Sequence, residues 1–423
     1  MNRVPVSTKA HSVAIVAWQS MPAVFGAGAK GVGGLETAAW TFAKGLASRT
    51  AWQPTLVFRS CGRIPRDCVE GVQLHADIDR WENIRRDVSA KVDFGNRRLN
   101  RFSAKLFWQI PLLAATWPFR RRDPELMAID DRLMKLSPDV WVTMGVGRES
   151  AGVIATAAAQ DRPSVLMLQS GADLDERYAQ DAITRSAYGE RSDVCRYAIE
   201  RADHVVCQTD AQRERLEKLF GRQGSLIRNS LDIDRWKDQR GKHPRGHILW
   251  IGRYEEFAKR IHLAIQIAQA CPDVPIRMIV NPDDPNVESK VRSSLPANVE
   301  LVDYVPFDQM PMQYAQSRAF LSTSSAAAEG FPNVLLQAAA AGTPIVALQD
   351  FDRFFEKSGA GIVCDDNIAD AARALQEFHS GVRSHQTDPV DRYLVENHSF
   401  DHVTDQLASL LETTLSDPRK SAS

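Results

Sequence analysis

What the sequence lacks narrows its possibilities first. Its 423 residues contain no apolar run near the ~18 residues that a membrane-spanning helix needs. The opening stretch, Met1 to Ala10, is polar and leads straight into Ser12-Val-Ala-Ile-Val-Ala-Trp18, which has neither the length nor the cleavage site of a secretory leader. The six cysteines (Cys61, Cys68, Cys195, Cys207, Cys271 and Cys364) form no Cys-x-x-Cys pair. Zinc sites show tighter spacing, so these read as reduced thiols. Both features predict a cytoplasmic protein. One-sided charge is missing too: 52 basic residues face 53 acidic ones for a net charge of −1, so no basic field argues for nucleic acid. No short internal repeat is visible. No Asp-x-Asp pair ends a strand candidate, and the adjacent pairs Asp283-Asp284 and Asp365-Asp366 read as solvated turns, so no metal site is expected.

What is present is ordinary globular composition, 44% apolar and 25% charged, over a length that suits two or three domains. Short apolar runs at 12–18, 53–59, 139–144, 163–168, 203–207 and 224–227 alternate with helical patterns at 34–49, 123–136, 148–160, 176–201 and 210–220. Such alternation predicts βαβ units and a parallel sheet, and near-continuous runs such as Val165-Leu-Met-Leu168 suit strands covered on both faces. The pattern pauses between Asp232 and Arg245, which is polar and basic, and restarts at His247-Ile-Leu-Trp-Ile-Gly252. Further strand candidates follow at 276–280, 299–303, 318–323, 343–347 and 361–363. Two doubly wound domains are therefore predicted: residues 1–231, a linker at 232–245, and residues 246–395. A terminal helix at 396–415 is expected to pack back on the first domain, with a disordered tail at 416–423.

Segment 97–122 stands apart. Arg97, Arg98, Arg101 and Lys105 precede an apolar, aromatic stretch from Leu106 to Phe119, and Arg120-Arg121-Arg122 closes it. Two readings stay open: a pair of core helices interrupted at Pro111, or a segment lying in a membrane interface.

Three constellations carry chemistry. Gly26-Ala-Gly-Ala-Lys-Gly31-Val-Gly33-Gly34-Leu-Glu36 follows a strand and opens a helix, where glycines let backbone approach a ligand and the helix N-terminus favours anions. Its spacing is not that of a dinucleotide fingerprint. Next, Gly252-Arg253 ends a strand and Lys259-Arg260 starts the following helix, placing cations where a doubly wound sheet binds ligands. The richest is Glu329-Gly-Phe331-Pro-Asn333-Val334-Leu-Leu-Gln337, in which a loop carboxylate precedes a helix whose free N–H groups suit phosphate and whose end is marked by Gly342.

The stretch EGFPNVLLQAAAAGTPIVA resembles the nucleotide-sugar site of the GT4-like glycosyl transferases group 1, which have the GT-B architecture and a pattern like EGFPNVLLEAMACGTPVVA. The resemblance extends to Gly252-Arg253 with Lys259, to Ala202-Asp203-His-Val-Val-Cys207, to Arg228-Asn229-Ser230, and to Gly33-Gly34. It implies an α/β chain of two Rossmann-like doubly wound domains facing across a cleft. It implies catalytic roles for Arg253 and Lys259 on a leaving diphosphate and for Glu329 on the transferred sugar. Gly33, Gly34, Phe331, Asn333, Val334 and Gln337 would surround the donor, with residue 337 at the ribose. The implied substrates are a nucleoside-diphosphate-sugar and a saccharide or lipid-linked acceptor, without cofactor or metal and with retention of configuration. Peripheral contact with the inner face of a membrane through 97–122 is expected on the interfacial reading of that segment's composition alone.

Two departures stand out. Gln337 replaces the family's second glutamate, and the strand end Leu168-Gln169-Ser170-Gly171-Ala172-Asp173 has no histidine, leaving Gln169, Ser170 or Asp173 as candidate contacts. A nucleotide-sugar epimerase of the same architecture and an inert nucleotide-binding homologue are the alternatives.

Overall fold

The computed structural model describes residues 11–26, 33–60, 62–78, 80–89, 91–93, 98–99, 102–117, 129–186 and 189–416. The N-terminal part contributes β1 (Ser12–Val16), β2 (Gln53–Arg59), β3 (Cys68–Val69), β4 (Val72–Asp77), β5 (Val92–Asp93), β6 (Arg98–Leu99), β7 (Val140–Met144), β8 (Ser164–Met167), β9 (His204–Cys207) and β10 (Ser225–Leu226). Eight of these form one sheet in the order β10-β9-β8-β7-β1-β2-β4-β3, parallel throughout except at β3, while β5 and β6 pair separately. The C-terminal part contributes β11 (His247–Arg253), β12 (Ile276–Asn281), β13 (Val299–Val302), β14 (Ser317–Ser322), β15 (Ile345–Ala347) and β16 (Gly361–Val363), all parallel in the order β13-β12-β11-β14-β15-β16. The chain order reverses beside β1 in one sheet and beside β11 in the other. Ligand crevices of doubly wound sheets open beyond the strand carboxyl ends at such points.

The inner strands are apolar because helices cover both faces: β7 and β8 are buried at every residue. Val13, Ile15, Leu46, Leu56, Val142 and Val165 centre one core. Ile248, Trp250, Ile265, Met278, Leu321 and Leu375 centre another. Strand β4 had no counterpart among the predicted strands. It lies near the sheet edge, and its polar residues Gln73 and His75 alternate with buried Val72 and Leu74, a pattern weaker than a fully covered strand gives.

Elsewhere the prediction and the structure part. The helical pattern at 176–201 resolves into a short 3₁₀ turn at Glu176–Ala179 and a helix only at Ser192–Arg201. Of the pattern at 123–136, residues 123–128 lie outside the described residues and the rest holds only a 3₁₀ turn at Leu133–Lys135. The polar segment after Leu231 is tied to the second domain: Trp236 is buried against Tyr314, and Arg240 pairs with Asp391 at 2.7 Å. Among the described residues of segment 97–122, one helix, Leu106–Thr116, runs through Pro111 without interruption and exposes Phe107, Trp108 and Ile110, so this stretch is not an interrupted pair of core helices. Arg97, Arg101, Phe119 and Arg120 to Arg122 lie outside the described residues, as do Met1 to Ala10, residues 27–32, Cys61 and residues 417–423.

Helix Phe400–Ser416 packs its Val403, Leu407 and Leu411 into the first domain's core, and Arg49 reaches Asp401 at 2.9 Å. The chain thus crosses between domains twice, and the crossings run side by side, with the Leu231 N–H donating to the His398 carbonyl at 2.9 Å. Beside them Arg228 meets Asp352 of the second domain at 2.5 Å, a buried pairing across the two domains, and Asp210 of its own domain at 3.1 Å.

Candidate functional site

The carboxyl ends of β11 and β14 are tied together by hydrogen bonds. The Trp250 indole N–H donates to Thr323 Oγ1 at 2.9 Å, and that hydroxyl donates to the Lys259 carbonyl at 2.6 Å. Gly252 is required here because a Cβ would lie 2.4 Å from the Trp250 ring. Arg260 takes a left-handed conformation (φ 49°) and grips the Thr323 and Ser324 carbonyls at 2.6 and 3.1 Å. These contacts hold the backbone of Lys259 and send its ammonium to Glu329 Oε1 at 2.5 Å, with both side chains mostly buried. Arg253, in contrast, is exposed at the end of β11 and meets Asp283 at 3.5 Å.

Glu329 lies in the loop four residues before Asn333, the start of helix Asn333–Ala340, whose first N–H groups have no side-chain cap. Across the cleft, helix Gly34–Arg49 also begins without one, at Gly33. The two helix starts approach closely: a Cβ on Gly34 would lie 3.3 Å from Asn333 Nδ2. Two helix N-termini, each with partial positive charge, therefore meet, with Glu36 in the first turn of one and the Lys259–Glu329 pair in the loop ahead of the other, a setting that suits an anion on the Asn333 side. Inside the helix, Gln337 is buried, and its Oε1 accepts from the Tyr314 hydroxyl at 3.1 Å. Burial pushes the Tyr314 phenol well above its ordinary pKa, so it remains a donor. Phe331 is buried against Phe354 and His398 and supports the loop from beneath.

The first domain touches this loop closely. Ser170 Oγ donates to the Ala328 carbonyl at 2.5 Å, and Ser170 bridges Glu329 as a single antiparallel pair. Gln208 accepts from the Phe331 N–H at 3.2 Å, and Asn229 donates to the Phe331 carbonyl at 2.9 Å. Glycine is needed at both sides of the seam: a Cβ on Gly171 would lie 2.9 Å from the Ala327 and Glu329 carbonyls, and one on Gly330 would lie 2.8 Å from the Gln169 carbonyl. Asp173 does not reach this surface. It is buried and accepts backbone N–H bonds from Gln169, Ser170 and Val146 at 2.6, 3.0 and 3.2 Å, while burial pushes its carboxyl up to about 6. Next to the seam a cavity of about 380 Å³ is lined by Gly171, Asp175, Arg177, Arg215, Phe257 and Ala327.

Lys259 thus meets Glu329, Gly34 of the first domain meets Asn333, Phe331 and Gln337 are buried in the same loop and helix, and Arg253 stands at the rim. Val334 is only partly buried and packs on the domain core. Tyr314 escaped sequence reasoning, and Asp283 was read only as a solvated turn, because nothing in their local sequence links them to residues 337 and 253. Among the described residues no group of three His, Cys, Asp or Glu side chains is placed to hold a metal ion.

Comparison with known proteins fits this geometry. Residues 245–381 match the family Glycosyl transferases group 1. No curated protein matches the sequence. Among solved structures, sucrose-phosphate synthase from Thermosynechococcus elongatus superposes with a TM-score of 0.65 at 14% identity, covering 96% of this chain and 99% of that one. A TarM variant from S. aureus, in complex with fondaparinux, α-GlcNAc-glycerol and UDP, gives 0.65 at 12% identity over 95% and 99%. Anabaena HepE, in complex with UDP and glucose, gives 0.59 at 13% over 95% and 100%. At such identities the likeness speaks for the fold. The chain therefore has the GT-B fold, and its residues 245–381 match the glycosyl transferases group 1.

Proposed function

We propose that the protein moves a sugar from a nucleoside-diphosphate-sugar to a saccharide or lipid-linked acceptor with retention of configuration, in cell-envelope or extracellular polysaccharide synthesis. One observation carries the reading: the mostly buried Lys259–Glu329 pair lies in the loop ahead of an uncapped helix N-terminus, which meets a second one at Gly34. A donor diphosphate would lie against the start of helix Asn333–Ala340, with Lys259 on the leaving phosphate, Arg253 at the rim and the ribose toward Gln337. Donor binding exchanges the Lys259–Glu329 contact for two new ones, ammonium to phosphate and carboxylate to a sugar hydroxyl. The bond between the anomeric carbon and the phosphate oxygen breaks, charge collects on the phosphate, and fixed cations and amides stabilise it without reorganising. The acceptor hydroxyl enters on the same face, bonds to the anomeric carbon and gives its proton to the departing phosphate. No nucleophilic carboxylate is required. The cavity beside Phe257 and Arg215, one loop away from Glu329, supplies space for the acceptor.

Thermal-shift screening against UDP, GDP, ADP and TDP tests the donor half. One nucleotide should raise Tm, since a ligand at 100 Kd adds about 2.7 kcal/mol. No shift with any of them would sink the reading. Transfer should persist in EDTA, because Lys259 and Arg253 take the place of a divalent ion. Loss of activity restored by Mg²⁺ or Mn²⁺ would overturn that part. The epimerase alternative requires donor conversion without acceptor, which the same assay would reveal.

A further inference from the structure

Helix Leu106–Thr116 reverses the usual polarity of a surface helix. At 100° per residue, Phe107, Trp108, Ile110, Pro111, Ala114 and Ala115 fall on one arc, and all six are exposed. That face carries no polar side chain, while the covered side holds Leu106, Gln109 and Thr116. Phe107 is 76% exposed and Trp108 52%, with Phe102 (68%) against Phe107 at 6.1 Å and Trp117 (68%) at the far end. The polar group is instead inside: Gln109 is buried and donates to Asp87 at 2.9 Å. A surface helix normally turns such residues the other way. An apolar face rich in Phe and Trp at the solvent boundary is what an interfacial helix presents.

The charge of the flanking sequence selects the partner. Between residues 97 and 122 there are seven basic residues and no acidic one, although the whole chain is nearly neutral. Aromatic side chains flanked by Lys and Arg suit the anionic surface of a bilayer, whose headgroups attract the cations while the rings enter the acyl boundary. No helix among the described residues is long and apolar enough to cross a membrane. The segment also departs from the functional edge of its sheet. It follows the carboxyl end of β4, and Arg132 on its return limb holds Asp77 at that end at 2.7 Å. This is the edge beyond which a doubly wound sheet binds its ligand.

We infer that the Phe102–Trp117 face docks on an anionic lipid bilayer and holds the acceptor side of the cleft near the membrane. The inference adds a partner to the proposed transfer but rests on the surface alone, so its failure would leave the donor site untouched. Co-sedimentation with vesicles of equal parts phosphatidylcholine and phosphatidylglycerol tests it, with pure phosphatidylcholine vesicles as the control. The full chain should bind the anionic vesicles, release in high salt, and bind pure phosphatidylcholine far less. Phe107→Ser/Trp108→Ser should weaken binding by about tenfold or more while the melting temperature and the nucleotide-induced thermal shift stay unchanged. Absence of binding to anionic vesicles at low salt would overturn the inference, and so would binding that the double variant leaves intact. A chain that is dimeric by light scattering and becomes monomeric in the double variant would assign the face to a second copy instead.

Discussion

Lys259→Ala should separate catalysis from stability at one residue. The substitution removes the cation of a 2.5 Å pair whose side chains are only 16% and 18% exposed, leaving Glu329 without its partner. Stranding one member of a mostly buried charged hydrogen bond costs about 1.5–3 kcal/mol. For a cooperative unit of 150–250 residues, each kcal/mol moves Tm by roughly 2–4 °C, so calorimetry should record a fall of roughly 3–12 °C. Loss of a group that stabilises leaving-group charge costs ~10²–10³ in rate, so kcat/KM with the nucleotide sugar identified by thermal shift should drop by that factor. The double variant Lys259→Ala/Glu329→Gln divides the two effects. Neutralising the stranded carboxylate should recover most of the lost Tm and none of the lost rate. Unchanged kcat/KM in Lys259→Ala would refute the assignment to the diphosphate. An equal Tm loss in the single and double variants would refute the electrostatic account of the pair.

Gln337→Ala should weaken binding of the free nucleoside diphosphate by about 0.5–1.5 kcal/mol, the net worth of a neutral hydrogen bond, as read by titration calorimetry. Tyr314→Phe removes the donor that orients Gln337 and should act in the same direction, whereas Glu329→Gln should lower kcat and leave nucleotide affinity near the parent's. His398 titrates inside the fold: burial pushes its imidazole down to about 4 from an ordinary 6.5, opposed by the Asn229 carbonyl at 2.8 Å. The unfolded chain therefore binds the extra proton between these values, and stability falls as pH drops from about 6.5 to 4. Asp173, raised to about 6, acts in the opposite sense between about 4 and 6. In urea titrations at pH 7 and 5, His398→Phe should reduce the acid-side loss, and a variant with the parent's full pH dependence would exclude His398 as its source. Gly171→Ala adds a methyl 2.9 Å from the Ala327 and Glu329 carbonyls, so it should lower kcat/KM with no chemical group removed. Full activity in that variant would show that the seam is dispensable.

Much of this protein is legible in its sequence, because periodicity and glycine placement act locally. Strand β2 and helices Gly34–Arg49 and Asp210–Phe220 fall on their predicted ranges. Short apolar runs bounded by turn residues suit strands covered on both faces, and Gly33, Thr209 and Gly221 mark helix ends by their own conformations or side chains. The Glu329 to Gln337 motif is likewise local, a loop running into a helix. Tertiary structure decided what depends on distant partners. The placement of Lys259 opposite Glu329 follows from β14 lying beside β11, a pairing that joins residues about 70 positions apart. The approach of Gly34 to Asn333 and the grip of Ser170 on Ala328 arise only when the domains meet. The two readings of segment 97–122 differ in nothing local, since one apolar stretch serves a core or a lipid surface equally well. Only packing could decide which side of that helix was covered, and it covered the side with Gln109 while leaving Phe107 and Trp108 exposed.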